Sequence, residues 1–472
     1  MTSPAPEPRP GQPATRPRPS GPTRLPAATV SLSEVLSALS HALDLTEGAP
    51  MGHTMRTCLI GMRLGREIGL DDDDLSSLYY ALLLKDAGCS GNASRMAALF
   101  GSDDNETKAR MKRVDWHRRV RLAFWTAGSV ARGKSLRERV RHFMTIARTA
   151  NMTRDLIALR CDRGANIARR IGFPERTALA IRSLDEHWCG LGYAEGLSGD
   201  DIPLLARIAN LSQTVEAFHD AEGVAAAIRV AMDRRGSWFD PGLVDIVASW
   251  KRDAGWWEQL RRPDVTELVL AEEPADRVRK VDAEGLNEVA RAFADIVDAK
   301  SPFTYQHSER VAGCAVEIGR VLGFDAEQEL TIYRAGLLHD IGKLGVSNRI
   351  LDKAGPLDDA ERAAMERHPV NTLEILERVS AFRHFARLAA LHHEKLDGSG
   401  YPFGVTGEAL DLPARCLVVA DIYDALTSDR PYRAGLSRDV AMGIIAREAG
   451  TKLDAQVVEA LDEYLRVREG RD

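Results

Sequence analysis

Five histidines and two aspartates in the C-terminal half are of types that bind metal: His307, His339, Asp340, His368, His392, His393 and Asp421. Imidazole offers a neutral nitrogen donor and a carboxylate can bridge two cations, so seven such ligands can hold two divalent ions. Two ions a few ångströms apart clamp the attacking and leaving oxygens of a phosphoryl displacement and activate water near neutral pH. A lone histidine is more often structural. Here adjacent pairs stand at helix ends among Gly-rich turns, and the clustering favours the metal reading.

The elements that must position these side chains read as helices. Apolar residues recur at helical spacing in SLSEVLSALSHAL, NEVARAFADIV and VAGCAVEIGRVLG, and strand-like alternation is almost absent, so the expected fold class is all-α. The chain has 472 residues, room for two or three domains. No apolar run reaches the roughly 18 residues of a membrane span, and the first residues carry no signal-peptide pattern. Six scattered cysteines without a CxxC pair suggest reduced thiols in a cytoplasmic location. A net charge of −6 gives no reason to expect a nucleic-acid or membrane partner. Residues 1–30 are Pro-rich and are expected to be a disordered tail.

The sequence repeats itself. A shift of 254 lays His307 on His53, Arg310 on Arg56, Gly319 on Gly65, Tyr333 on Tyr79, and GLLHDIGKLG (336–345) on LLLKDAGCSG (82–91). Later the shift becomes 208, placing GSGY (398–401) on GLGY (190–193). Two tandem helical domains follow, at 31–262 and 284–472, with a charged linker at 263–283.

HDIGK (339–343), HHEKLDGSGYP (392–402), ADIYDALTSDRPYR (420–433) and FTYQHSERV (303–311) together resemble the HD-GYP family of metal-dependent phosphohydrolases. The resemblance implies two tandem HD-type helical domains and hydrolysis of cyclic di-GMP or another cyclic nucleotide or phosphoester. It implies that His307, His339, Asp340 and Asp421 bind one ion. Asp340 would bridge to a second ion held by His368, His392 and His393. Asp340 and Lys343 would be catalytic, and Lys343, Tyr401, Arg430 and Arg433 would contact substrate. Family members described as trinuclear have Glu four residues before the first histidine, where this chain has Phe303. The expectation is therefore two divalent ions, Fe or Mn favoured and Zn possible, with cyclic di-GMP opened once to pGpG. A cyclic-dinucleotide-binding protein with little turnover is the reading from another class.

In the N-terminal copy His53 and Asp86 survive, but Lys85 stands for His339, Cys89 for Lys343, Arg160 for His368, Leu184 and Asp185 for His392 and His393, and Gln213 for Asp421. That copy is expected to be a regulatory or dimerisation domain, with Tyr193 as a candidate for ligand stacking. A homodimer and a signalling partner of this domain are the partners considered besides substrate. Its extra residues include a basic tract at 108–143, with twelve Lys or Arg, read as a solvated face.

Overall fold

The structure, a computed structural model, describes residues 29–100, 105, 108, 137, 150–429 and 433–469. The Pro-rich tail up to residue 28, most of the basic tract, and Arg430 lie outside the described residues.

Helices make up nearly all the regular secondary structure among the described residues, as the apolar spacing requires. In the first half they are α1 (Leu32–Thr46), α2 (His53–Glu67), α3 (Asp72–Leu84), α4 (Ala93–Phe100), α5 (Ala150–Arg170), α6 (Glu175–Arg182), α7 (Leu204–Glu222), α8 (Val224–Asp233), α9 (Pro241–Ser249), α10 (Ala254–Gln259) and α11 (Val265–Ala271). In the second half they are α12 (Ala283–Asp298), α13 (His307–Val321), α14 (Ala326–Leu338), α15 (Asn348–Leu351), α16 (Asp359–Glu366), α17 (His368–Leu376), α18 (Arg383–Ala390), α19 (Leu412–Thr427), α20 (Arg438–Glu448) and α21 (Ala455–Glu469). The aspartate runs act as helix starts. Asp71 accepts the backbone N–H of Asp74, and Asp325 forms a capping box with Gln328.

The repeat is visible element by element. Both ends of α2 and α3 coincide with those of α13 and α14 at the shift of 254, and α6 coincides with α18 at 208. The shift also relates two buried carboxylates near the helix ends. Asp44 accepts N–H groups of Gly52 and Thr54, and Asp298 accepts the N–H and hydroxyl of Ser308. One element differs: the unbroken α5 stands where the second copy has α16 and α17, with Pro369 in the first turn of α17. Proline lacks the N–H that a continuous helix would need there.

The stretch 263–283 is not a free linker. It contains α11, whose Val269 is fully buried, and β2 (Lys280–Val281). That strand pairs antiparallel with β1 (Val30–Ser31), Val30 opposite Val281. Its acidic residues, which made it read as solvated, are partners: Glu273 accepts the Tyr80 and Ser33 hydroxyls, and Glu272 pairs with Arg66.

The two copies touch through α1, which packs on α17 and on the 3-10 turn Ile341–Gly345. Glu34 accepts the N–H of Ser380, Asn105 donates to the carbonyl of Gly345 at 3.3 Å, and Arg163 donates to that of Asp295 at 2.7 Å.

In the first copy, Glu216 is buried between His53 and Arg56, bonded to both. Burial alone would raise its pKa, but these two partners hold it down at about 2. A depressed carboxylate contributes stability above its unfolded value, and that contribution is lost as pH falls toward the folded one. Glu216→Gln should therefore cost about 3 kcal/mol at pH 7, with the gap to wild type narrowing below about pH 4. Urea titrations at both pH values check this; a gap that stays constant with pH would remove Glu216 from the account.

Candidate metal centre

Each of the seven predicted ligands is placed by a helix end or a helix face. His307 opens α13 after Gln306, a non-glycine residue in the left-handed region at φ 55°. His339 and Asp340 follow α14 and lead into the 3-10 turn, His368 opens α17, His392 and His393 follow α18, and Asp421 lies within α19. The turn and α17 come so close that a Cβ on Gly342 would stand 2.0 Å from the carbonyl oxygen of His368. Glycine is therefore needed there for steric reasons. The first copy keeps the same approach, Gly88 against the carbonyl of Arg160 at 1.9 Å.

All seven converge. Asp340 turns one oxygen to each side: Oδ2 lies 3.4 Å from His307 Nε2 and 3.3 Å from His339 Nε2. Its Oδ1 lies 3.3 Å from His368 Nε2 and 3.6 Å from His392 Nε2. Asp421 closes the cage, Oδ1 at 3.4 Å from His307 Nε2 and Oδ2 at 3.7 Å from His393 Nδ1.

Whether a cation fits is answered by the hydrogen bonds on the far side of each ring. The Nδ1–H groups of His339, His368 and His392 donate to the carbonyls of Gly336, Met365 and Ala389 at 2.6–2.7 Å. The His307 Nδ1–H donates to Asp424 at 2.7 Å. A carbonyl can only accept, so the His339, His368 and His392 rings, when neutral, point a bare Nε2 inward, the tautomer a metal requires. His368 and His392 face one another through Nε2 at 3.1 Å, where two lone pairs repel unless a cation separates them. His339 Nε2 and Asp340 Oδ1 are buried without a hydrogen-bond partner. Such orphans are costly in a dry interior and are satisfied by metal. The residues present fit a divalent pair.

The electrostatics divide the cage. Burial raises the Asp340 pKa, but His339 and Lys343 outweigh it and hold the carboxyl well below its usual range. Burial first, then neighbouring imidazoles and Lys343, push His393 well below the usual value, and His368 and His392 are also lowered. His307 moves the other way: burial would lower it, yet bonds to Asp340 and Asp424 and the charge of Asp421 raise it to about 9.

The residues assigned to substrate divide. Tyr401 lies over the His393 ring, centroids 4.7 Å apart, and Lys343 Nζ is 2.6 Å from Asp340 Oδ2 on a partly exposed side of the cage. Arg433 is placed otherwise. Its guanidinium donates to the carbonyls of Ala425, Leu426 and Ala434, so it fastens the loop after α19 and does not face the cage. The exposed carbonyls of a helix end are good acceptors for such a side chain.

Two functional residues escaped the sequence reading. Asp424 orients His307 and also receives Arg310, and Arg310 donates to the carbonyl of Tyr305 just before the turn into α13. Its spacing from Asp421, i to i+3 on one helix, was the available signal. Buried Glu394 accepts the N–H groups of Phe403 and Val405 and so holds the Gly-rich loop bearing Tyr401.

The first copy retains the frame without the cage. His53, Glu216, Arg56 and the Met51 carbonyl repeat the His307, Asp424, Arg310 and Tyr305 arrangement. Inside it, buried Lys85 pairs with Asp86 and lies 3.3 Å from His53 Nε2, where the second copy would hold a cation. Arg160 pairs with Asp185. The cavity left beside them is about 70 Å3, walled by Trp238 and His187 among others, far smaller than the several hundred Å3 typical of ligand pockets. This geometry gives no support to nucleotide stacking on Tyr193 there.

A model of the HD domain matches residues 143–243 and 291–457, one segment in each copy. The 3'3'-cGAMP-specific phosphodiesterase 3 of Vibrio cholerae is 42% identical over 438 residues, covering 93% of this chain and 95% of that protein. The chain belongs to the HD-GYP family. The likeness of this HD-GYP protein to the cyclic di-GMP phosphodiesterase response regulator RpfG of Xanthomonas campestris is confined to 39% of the chain, at 36% identity and 49% coverage of that protein. A crystal structure of the cyclic GMP-AMP-specific phosphodiesterase V-cGAP3 of V. cholerae superposes with a TM-score of 0.64 at 36% identity, over 93% of this chain and 98% of that one. HD-GYP proteins are metal-dependent hydrolases. No helix among the described residues is long and apolar enough to cross a membrane.

The outer bond to His307 should matter to metal affinity. Asp424→Asn is expected to weaken Mn(II) binding about 10- to 100-fold, whereas Lys85→Met should leave metal content per chain unchanged. Elemental analysis and metal titration of both variants decide it; equal Mn(II) affinity in Asp424→Asn and wild type would contradict the role given to Asp424.

Proposed function

We propose that this chain is a metal-dependent phosphodiesterase that opens a 3'3'-cyclic dinucleotide by a single hydrolysis, with residues 284–472 catalytic and 31–262 a supporting or regulatory domain. The observation that carries the reading is Asp340, one oxygen turned to His307 and His339 and the other to His368 and His392. His307, His339, Asp340 and Asp421 would hold one divalent ion, and Asp340, His368, His392 and His393 the other. Iron or manganese suits this nitrogen and oxygen set, and zinc is compatible with it. Bound there, the pair would supply Lewis-acid activation of water and of the phosphoryl group.

The protein's own contribution is placement. The carbonyls of Gly336, Met365 and Ala389 fix three rings as inward-facing bases, so the ligands need no reorganisation when a cation arrives. Lys343, partly exposed beside Asp340, would neutralise charge on the scissile phosphate. Tyr401, backed by His393, presents an aromatic face at the rim. Phe303 supplies no oxygen for a third ion, which favours a linear dinucleotide product over complete hydrolysis.

The relative that shares both domains acts on 3'3'-cGAMP by name, which favours that substrate. Cyclic di-GMP is the second reading, supported by the partial likeness to RpfG. Purified protein loaded anaerobically with Fe(II) or Mn(II) should turn over 3'3'-cGAMP faster than cyclic di-GMP. Asp340→Ala should lose about 10³-fold or more. Product chromatography reads both; equal turnover by the variant would end the proposal, and tight binding without turnover would favour a nucleotide reporter instead.

A further inference from the structure

Between the two copies lies a cleft of about 790 Å3, within the 300–1,000 Å3 typical of small-molecule sites. It is separate from the metal cage. Its walls come from both halves of the chain: α1 and the segment around 260–270 on one side, the end of α17 and the start of α18 on the other.

Five arginines and four carboxylates line it, a slight excess of positive charge. Among the described residues Arg261, Arg378 and Arg383 have no carboxylate partner; Arg378 rests on the Met51 sulfur at 3.9 Å, and Arg383 donates to the carbonyl of Glu377. The acids nearby are mostly engaged. Glu34 holds the Ser380 N–H, Asp44 holds Gly52 and Thr54, and Asp220 pairs with Arg56. Only Glu267 among the acids lining the cleft has no such bond. Three guanidiniums on one cleft, none with a carboxylate partner among the described residues, suit a phosphate, since planar forks match tetrahedral oxyanions.

A second observation is independent of these charges. His41 and His219 line the cleft, are 9% and 2% exposed, and each has a buried Nδ1 without a hydrogen-bond partner. Those atoms face the interior, and no hydrogen bond among the described residues engages either ring, which leaves the cleft side of each able to bond a ligand. Met51, Leu260 and Val265 add apolar wall, so the occupant has an apolar or aromatic body besides its charge.

We propose that this cleft binds a nucleotide phosphate, gripped by Arg261, Arg378 and Arg383 and hydrogen-bonded by His41 and His219. This is independent of which cyclic dinucleotide the metal cage takes. Arg378 lies just beyond the C-terminal end of α17, the helix whose first residue is His368. A ligand in the cleft therefore touches the far end of an element that carries a metal ligand.

Calorimetric titration of GMP into the full-length Mn(II)-loaded chain tests the site. Wild type should show two sets of binding, one of which survives metal chelation. The double substitution Arg261→Ala and Arg378→Ala should weaken that set at least tenfold while leaving turnover of bis(p-nitrophenyl) phosphate within twofold. An isotherm unchanged by the double substitution, or a single set abolished by chelation, would overturn the proposal. So would inorganic phosphate binding in the cleft as tightly as GMP.

Discussion

A single buried carboxylate shared between two sets of imidazoles organises the second half of this protein. Isolated in a dry interior, the Asp340 charge would be prohibitively costly. It is tolerable because nitrogens and an ammonium surround it, and because the cage is built for cations. Much of the local architecture serves that arrangement. Gly342 allows the turn carrying Asp340 to press on the carbonyl of His368, Pro369 breaks what would be one helix so that His368 heads a new one, and Asp424 turns His307 inward.

Comparison of the two copies separates what holds the fold from what holds the metal. The ring, carboxylate, guanidinium and carbonyl relay at the start of α2 and α13 occurs in both, as do the Asp44 and Asp298 anchors and the glycine contacts. The cage itself differs. In the first copy Lys85 brings its own positive charge to Asp86, and Arg160 does the same for Asp185. A buried pair of this kind gains little over an apolar substitute but is costly to break from one side. That explains how the copy keeps its packing without the cage.

The all-α class, the paired helices and the seven converging His and Asp residues were legible in the chain because each rests on local pattern or residue chemistry. Helix starts at Asp71 and Asp325 and the shift of 254 are of this kind. What was not legible depended on distant partners. The bond from Asp424 to His307 spans 117 positions, and nothing in the sequence of Asp424 alone announces it. Glu272 and Glu273 looked like solvated linker residues because their partners, Arg66, Tyr80 and Ser33, lie some two hundred positions away. Arg433 could as well have met a phosphate as three carbonyls; only the path of the loop after α19 decides.

Lys85 also changes how the chain answers to its surroundings. Its cation is covalently attached, so the first half fills its frame without an ion, whereas in the second the His368 and His392 nitrogens face one another at 3.1 Å. Helix α1 of that self-sufficient half is braced on the 3-10 turn that follows Asp340. One half of the molecule thus carries its positive charge in its own sequence, and the other leaves room for it.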